Sequence, residues 1–241
     1  MTETLPPVAA RLESVSKLYG NFAALRNISV DFAVGSSTVV LGDNGAGKST
    51  MLRLLAGLIA PSRGTVSVFS STPQAYRHRI AYMSHEAMLY DELSAIENLR
   101  YFSKLHSDGA CAACSAGSPE MALRAVGLDP MLPRPVGQYS QGMRQRASLA
   151  RVLLSDPELL LLDEPFSNLD AESAGRMVEL LLDFRTWPVI AGSGVDPFAR
   201  GRTIIITTHQ AKLAEPLADS TLTMRAGTIA SNTNVTEMAT R

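Results

Sequence analysis

Residues Thr38 to Leu58 run without a break from a short β-branched apolar stretch through a glycine-rich turn into a helical pattern. Within the turn, Gly42-Asp43-Asn44-Gly45-Ala46-Gly47-Lys48-Ser49, followed by Thr50, fits the G-x-x-x-x-G-K-[ST] spacing at every fixed position. Glycines let such a backbone curl tightly, so that successive N–H groups point at phosphate oxygens. The helix that follows adds its N-terminal dipole to the same anion site. The spacing predicts that Lys48 reaches the β- and γ-phosphates and that the Ser49 hydroxyl sits on Mg²⁺. A glycine-rich turn in an ordinary α/β protein is the competing reading. The strand–turn–helix context that the motif requires is present, and it favours a nucleoside triphosphate site.

The 241 residues, 46% of them apolar, suffice to bury a full core as one domain, or as one domain with subdomains. With 22 basic against 23 acidic residues the net charge is −1, which gives no general field for nucleic acid. Aromatic residues make up 6% of the chain, too few for a platform on which single strands could stack. Two cysteines argue against a disulfide framework and suit a reducing cytoplasm. Met1 to Pro7 has neither a basic nor an apolar leader segment, so no signal peptide is expected. No apolar run approaches the length of a membrane span, so a membrane role would have to come through a partner.

Partial alternation predicts strands at Ala10–Tyr19 and Leu25–Val34, with Gly20-Asn21 and Val34-Gly35-Ser36 as turns. Pro61 to Gly64 is expected to end the helix after the glycine-rich turn, and Thr65–Phe69 and His78–Met83 read as strands. Leu93, Ile96, Leu99, Phe102 and Leu105 recur at helical spacing and predict a helix over Leu89–His106. Ser107–Ser118 reads as an exposed loop, Pro119–Val126 as a short helix closed by Gly127, and Gln141–Leu154 as a longer helix. Leu159–Leu162 is apolar throughout, as in a strand covered on both faces. A helix over Ala171–Trp187, a loop over Pro188–Arg202 and a strand over Thr203–Thr207 complete the pattern. Strands alternating with helices indicate an α/β fold with a parallel sheet and an antiparallel portion near the N-terminus.

Four leucines deliver Asp163-Glu164 to the carboxyl end of a strand, where ligand sites of α/β proteins lie. An aspartate there can hold the Mg²⁺ shell, and the adjacent Glu164 is placed to act on a water as general base. Two strand-end acids in solvent are the alternative, and the upstream phosphate loop argues against it. Cys111-Ala-Ala-Cys114 has neither a thioredoxin-like setting nor a second pair for zinc, and reads as an idle pair in an insertion.

With these motifs in view, the chain resembles the nucleotide-binding subunit of an ABC transporter. Tyr139-Ser140-Gln141-Gly142-Met143 is similar to that family's signature motif. Leu162-Asp163-Glu164-Pro165, Ser167-Asn168-Leu169-Asp170 and Thr208-His209 follow in the family's order, and the likeness extends from about residue 10 to 225. It implies a P-loop ATPase fold with a parallel-sheet core, an N-terminal antiparallel β subdomain and a helical subdomain over about 87 to 155. It implies that ATP and Mg²⁺ are bound, with Tyr19 stacking on adenine, Asp163 beside Ser49 at the metal, and Lys48, Glu164 and His209 serving hydrolysis. Ser140 and Gly142 would touch the γ-phosphate held by a second copy, and Asp170 would link the two sites.

The signature departs from the common pattern at Tyr139, Gln141 and Met143, which leaves the serine and the backbone amides to make the phosphate contact. At Met83-Ser84-His85-Glu86 the family usually has glutamine, and here His85 stands in its place as a candidate metal or water contact. Tyr82–Glu86, with Glu92–Tyr101, Tyr139–Arg146 and Thr207–Gln210, is also similar to the ATPase subunit of the haem exporter of cytochrome c maturation. Exporters of drugs, lipids and polysaccharides share much of the pattern, and a non-transport soluble ATPase of the same fold is a further alternative. The resemblance further implies a homodimer closing around two nucleotides and an integral membrane permease gripped around His85–Leu93. The chain would then be cytoplasmic, peripheral on the inner face of the membrane, with no nucleic-acid partner.

Overall fold

The computed structural model describes residues 7–107, 118–186 and 201–234. In chain order the strands are β1 (Val8–Tyr19), β2 (Phe22–Ala33), β3 (Ser37–Leu41), β4 (Arg63–Val68), β5 (Ile80–Met83), β6 (Leu159–Asp163), β7 (Thr203–Thr208), β8 (Ser220–Arg225) and β9 (Thr228–Asn234). The α-helices are α1 (Lys48–Leu55), α2 (Ala95–Ser107), α3 (Pro119–Ala125), α4 (Gln141–Leu153), α5 (Ala171–Thr186) and α6 (Ala211–Ala214).

β1 pairs antiparallel with both β2 and β4 in a three-stranded sheet of order β2-β1-β4. The larger sheet has six strands in the order β5-β6-β7-β3-β8-β9, parallel except for β9, which returns antiparallel beside β8. This is the parallel-sheet core with a separate antiparallel N-terminal sheet that the resemblance implies. The unbroken apolar runs of β6 and β7 follow from it, because both faces of their sheet are covered. On one face Leu160, Leu162, Ile204 and Ile206 pack with Leu149, Met177 and Leu181 of α4 and α5. On the other, Leu159, Leu161 and Ile205 pack with Met51, Leu52 and Leu55 of α1 and with β1 and β2 residues such as Leu12 and Ile28. Period-two alternation along the strands thus divides one sheet between two cores.

Several elements begin or end elsewhere than the sequence pattern predicts. Helix α1 stops at Leu55, well before Pro61, because Gly57 takes a left-handed conformation (φ 70°) just past its end. Helix α2 starts at Ala95, so Leu89 to Leu93 are not helical. Ser94 and Glu97 form a reciprocal cap, with the Ser94 N–H donating to Glu97 Oε2 at 2.8 Å and the Glu97 N–H donating to Ser94 Oγ at 3.4 Å. The buried Asn98 side chain then satisfies the preceding loop, accepting from the Tyr90 N–H at 2.8 Å and donating to the Tyr90 carbonyl at 3.0 Å. The β8–β9 hairpin has no counterpart among the predicted elements. Its turn, Ala226-Gly227, has positive φ at both residues, as hairpin turns of the primed types require. Cys111 and Cys114, and most of the loops expected over 107–118 and 188–202, lie outside the described residues.

Among the described residues no helix is long and apolar enough to cross a membrane.

Candidate active site

β3 ends where the glycine-rich turn begins, and it lies between β7 and β8 in the sheet. Its parallel neighbour β7 is flanked in turn by β6, so the carboxyl ends of β3, β7 and β6 open side by side. The register sets Asp163 opposite Thr207, and Leu41 opposite Thr208. This arrangement brings residues distant in sequence to one edge, a cleft of about 690 Å³. That size falls within the usual range for small-molecule sites.

Asp43 to Thr50 line the cleft, together with Tyr19, His85, Asp163, Glu164 and His209. Gly42 sits behind the wall, and its carbonyl accepts from Lys48 Nζ at 2.6 Å, with the Asp43 carbonyl at 3.3 Å. Gly47 precedes α1 with φ 101°, and a Cβ there would come within 2.7 Å of the Ala24 carbonyl oxygen, so only glycine fits without displacement. The Gly227 N–H donates to the Ala46 carbonyl at 3.0 Å, so the unforeseen β8–β9 hairpin braces the loop from behind.

The acids converge on this loop. Ser49 Oγ donates to Asp163 Oδ1 at 2.9 Å, and Thr207 Oγ1 donates to the same oxygen at 2.7 Å. The other oxygen, Oδ2, accepts from the Tyr82 hydroxyl at 3.1 Å. Burial, then the nearby Asp163 charge, push the Tyr82 phenol up to about 12, so it stays protonated and remains a donor at neutral pH. Glu164 Oε1 lies 3.4 Å from Lys48 Nζ, and Oε2 lies 2.9 Å from His209 Nδ1. The Lys48 and Glu164 side chains are only 6% and 13% exposed, whereas that of His209 is 54% exposed. Glu164 (φ 51°) and Asn168 (φ 60°) adopt left-handed backbone conformations on the cleft wall. Such conformations are disfavoured for side chains other than glycine and cluster at functional sites.

Hard oxygen donors, a serine hydroxyl and a carboxylate in contact, suit Mg²⁺ better than a softer metal. His85 is exposed on the same wall, and among the described residues no group of three or more His, Cys, Asp or Glu gathers into a metal site by itself. Tyr19 is 47% exposed, with Lys17 Nζ 5.2 Å from its ring centroid.

Ser140, Gly142 and Asp170 do not line this cleft. Ser140 caps α4, its hydroxyl accepting from the Met143 N–H at 3.3 Å. Asp170 precedes α5 and accepts from the Ser173 N–H at 2.8 Å and from its hydroxyl at 3.0 Å. These bonds hold the Asp170 carboxyl below its usual range. Gly142 packs against the same serine, and a Cβ at Gly142 would come 2.8 Å from Ser173 Cβ. The signature segment and the Asp170 turn therefore meet each other, away from the phosphate loop of their own chain.

Sequence reasoning missed Tyr82 and Thr207 as partners of Asp163, and Phe22 and Arg53 as cleft residues. Thr207 had a signal, since it lies at the end of an apolar strand two positions before His209. Tyr82 had none, because its role depends on β5 lying next to β6.

Comparison with known proteins supplies a family likeness. A family model described as "ABC transporter" matches residues 25–167, and one described as "AAA domain, putative AbiEii toxin, Type IV TA system" matches residues 132–215. A fluoroquinolones export ATP-binding protein of Mycobacterium tuberculosis is 36% identical over 215 residues, which cover 87% of this chain and 65% of that protein. The chain thus spans about two thirds of the length of this relative. The ABC transporter ATP-binding protein NatA of Bacillus subtilis is 31% identical over 231 residues, covering 94% of this chain and 87% of NatA. Among solved structures, a dimeric ATP-binding cassette in a post-hydrolysis state with ADP and Pi superposes with a TM-score of 0.78 at 23% identity. That match covers 94% of this chain and 98% of the other, and it bears on the fold alone.

Proposed function

The chain belongs to the ABC transporter family, as an ABC ATPase domain, and from that premise we propose that it binds and hydrolyses ATP to power an exporter. One observation carries the reading: Ser49, Lys48, Asp163, Glu164 and His209 meet in one cleft, with Glu164 held between Lys48 Nζ at 3.4 Å and His209 Nδ1 at 2.9 Å.

In this reading the backbone N–H groups of Asp43 to Thr50, the α1 N-terminus and Lys48 hold the phosphates. Tyr19 offers its exposed ring to the adenine. Ser49, with Asp163 beside it, would hold Mg²⁺, which supplies charge neutralisation at the phosphates. Glu164 accepts a proton from the attacking water, and His209 keeps that carboxylate turned toward it. Lys48 faces the charge that develops on the phosphoryl oxygens.

Ser140, exposed at the start of α4, and the buried Gly142 stand off this cleft, beside Asp170. They serve the nucleotide of a second copy, and Asp170 links the two sites, so each complete site is shared between two chains. The whole chain acts as one such domain, with its helices between residues 87 and 155 as the subdomain that carries the signature. Closure of the pair drives an integral membrane permease, which grips the surface around His85–Leu93 from the cytoplasmic side. The likeness to the fluoroquinolones export ATP-binding protein of Mycobacterium tuberculosis supports export.

A second cargo reading is haem export for cytochrome c maturation, carried by Tyr82–Glu86 and Glu92–Tyr101. A pull-down of tagged Glu164→Gln chain from its native membranes with Mg-ATP separates these readings. Recovery of a multi-span exporter permease is the expected result, and one of the cytochrome c maturation type would select haem. Recovery of soluble proteins alone, from a folded bait, would overturn the transport reading.

A further inference from the structure

Two of the three hydroxyls on Asp163 come from its immediate surroundings, Ser49 from the phosphate loop and Thr207 from the adjoining strand, and both bind Oδ1. The third, Tyr82, reaches Oδ2 from β5. Parallel register sets Tyr82 opposite Leu161, on the face of the sheet that packs against α1. Asp163 projects to that same face, since it follows Leu161 by one period of the strand. The tyrosine ring therefore runs along the sheet under α1 and ends at the carboxylate. Arg53, in the last turn of α1, lines the same cleft.

We propose that Tyr82 is a positioning residue for the metal: its hydroxyl pins Oδ2 so that Oδ1 keeps facing Ser49. A neutral phenol holds the geometry without neutralising the acid. Groups that orient metal-site side chains in this way commonly change metal affinity by about 10–100-fold when removed. The inference rests on the reading that this cleft takes Mg-ATP.

Tyr82→Phe keeps the ring and deletes only the hydroxyl. The test uses the full chain carrying Glu164→Gln, saturated with ATP, and titrates Mn²⁺ followed by electron paramagnetic resonance. Fluorescence of an ATP analogue in EDTA measures nucleotide affinity without metal, and reports on folding of the site. The expected result is Mn²⁺ binding weakened at least about 10-fold by Tyr82→Phe, with nucleotide affinity in EDTA unchanged. Unchanged Mn²⁺ affinity would overturn the proposal. So would an equal loss with and without metal, which would mark Tyr82 as a packing residue. Failure of the chain with Tyr82 intact to bind the ATP analogue at all would instead overturn the nucleotide reading, and this proposal with it.

Discussion

At the scale of single residues, the cleft depends on groups whose charge is confined. Glu164 is 13% exposed and has the Lys48 ammonium 3.4 Å away, so Glu164→Gln removes the proposed base while leaving nearly the same shape. The expected outcome is a fall in steady-state phosphate release of about 10²–10⁴-fold, with nucleotide affinity retained. Thr207→Val makes a different prediction. Its hydroxyl is fully buried and donates to Asp163 Oδ1 at 2.7 Å. The isosteric change leaves one donor fewer on a buried carboxylate, so a loss of about 1–3 kcal/mol in unfolding free energy is expected by chemical denaturation. What the sequence revealed at this scale divides by distance along the chain. Gly42 to Thr50 were legible because a phosphate loop is local. Tyr82 was not, because only the lateral order of β5 and β6 brings it to Asp163.

At the scale of elements, helices were read where their caps are local and misread where tertiary contacts decide. Gln141 to Leu153 follows its predicted bounds closely because Ser140 caps its start. The apolar pattern through Leu89–Leu93 imitates helix, yet Ser94 and Asn98 commit that stretch to a loop. Strands β8 and β9 escaped notice because β8 owes its burial to β3, far earlier in the chain. The contact between α4 and α5 gives an element-scale prediction. Gly142→Ala would ordinarily favour a helix, but here a Cβ meets Ser173 Cβ at 2.8 Å. A net destabilisation of about 1–3 kcal/mol is expected from overpacking, and Ser173→Gly in the same chain should recover much of it in a double-mutant cycle.

Helices α2 and α3 are joined by Arg100 Nη2 and Glu120 Oε1 at 2.8 Å. Donation by Ser118 and then Arg100 lowers the Glu120 carboxyl from 4.5 to about 2. A carboxyl depressed in the folded state stabilises the fold above its unfolded pKa, and that contribution is lost as pH falls from about 4.5 towards 2. The pair is exposed to solvent, so the effect is small. Thermal unfolding of Glu120→Gln should therefore fall slightly below that of the unsubstituted chain at pH 7. The two midpoints should draw together in strong acid.

At the scale of the whole molecule, the phosphate loop and the signature segment of one chain do not share a cleft, since Ser140, Gly142 and Asp170 lie off the wall that Lys48 and Glu164 line. In the function proposed above, a site divided in this way is complete only when two copies meet, with the bound nucleotide joining them. In the sequence this division was legible only through the motif resemblance, because it depends on which surfaces the fold leaves apart. The measurement that tests it most directly is the sedimentation mass of the Glu164→Gln chain with and without Mg-ATP. The account predicts the mass of one chain without nucleotide and of two chains with it. A mass that stays at one chain while ATP is demonstrably bound would contradict it.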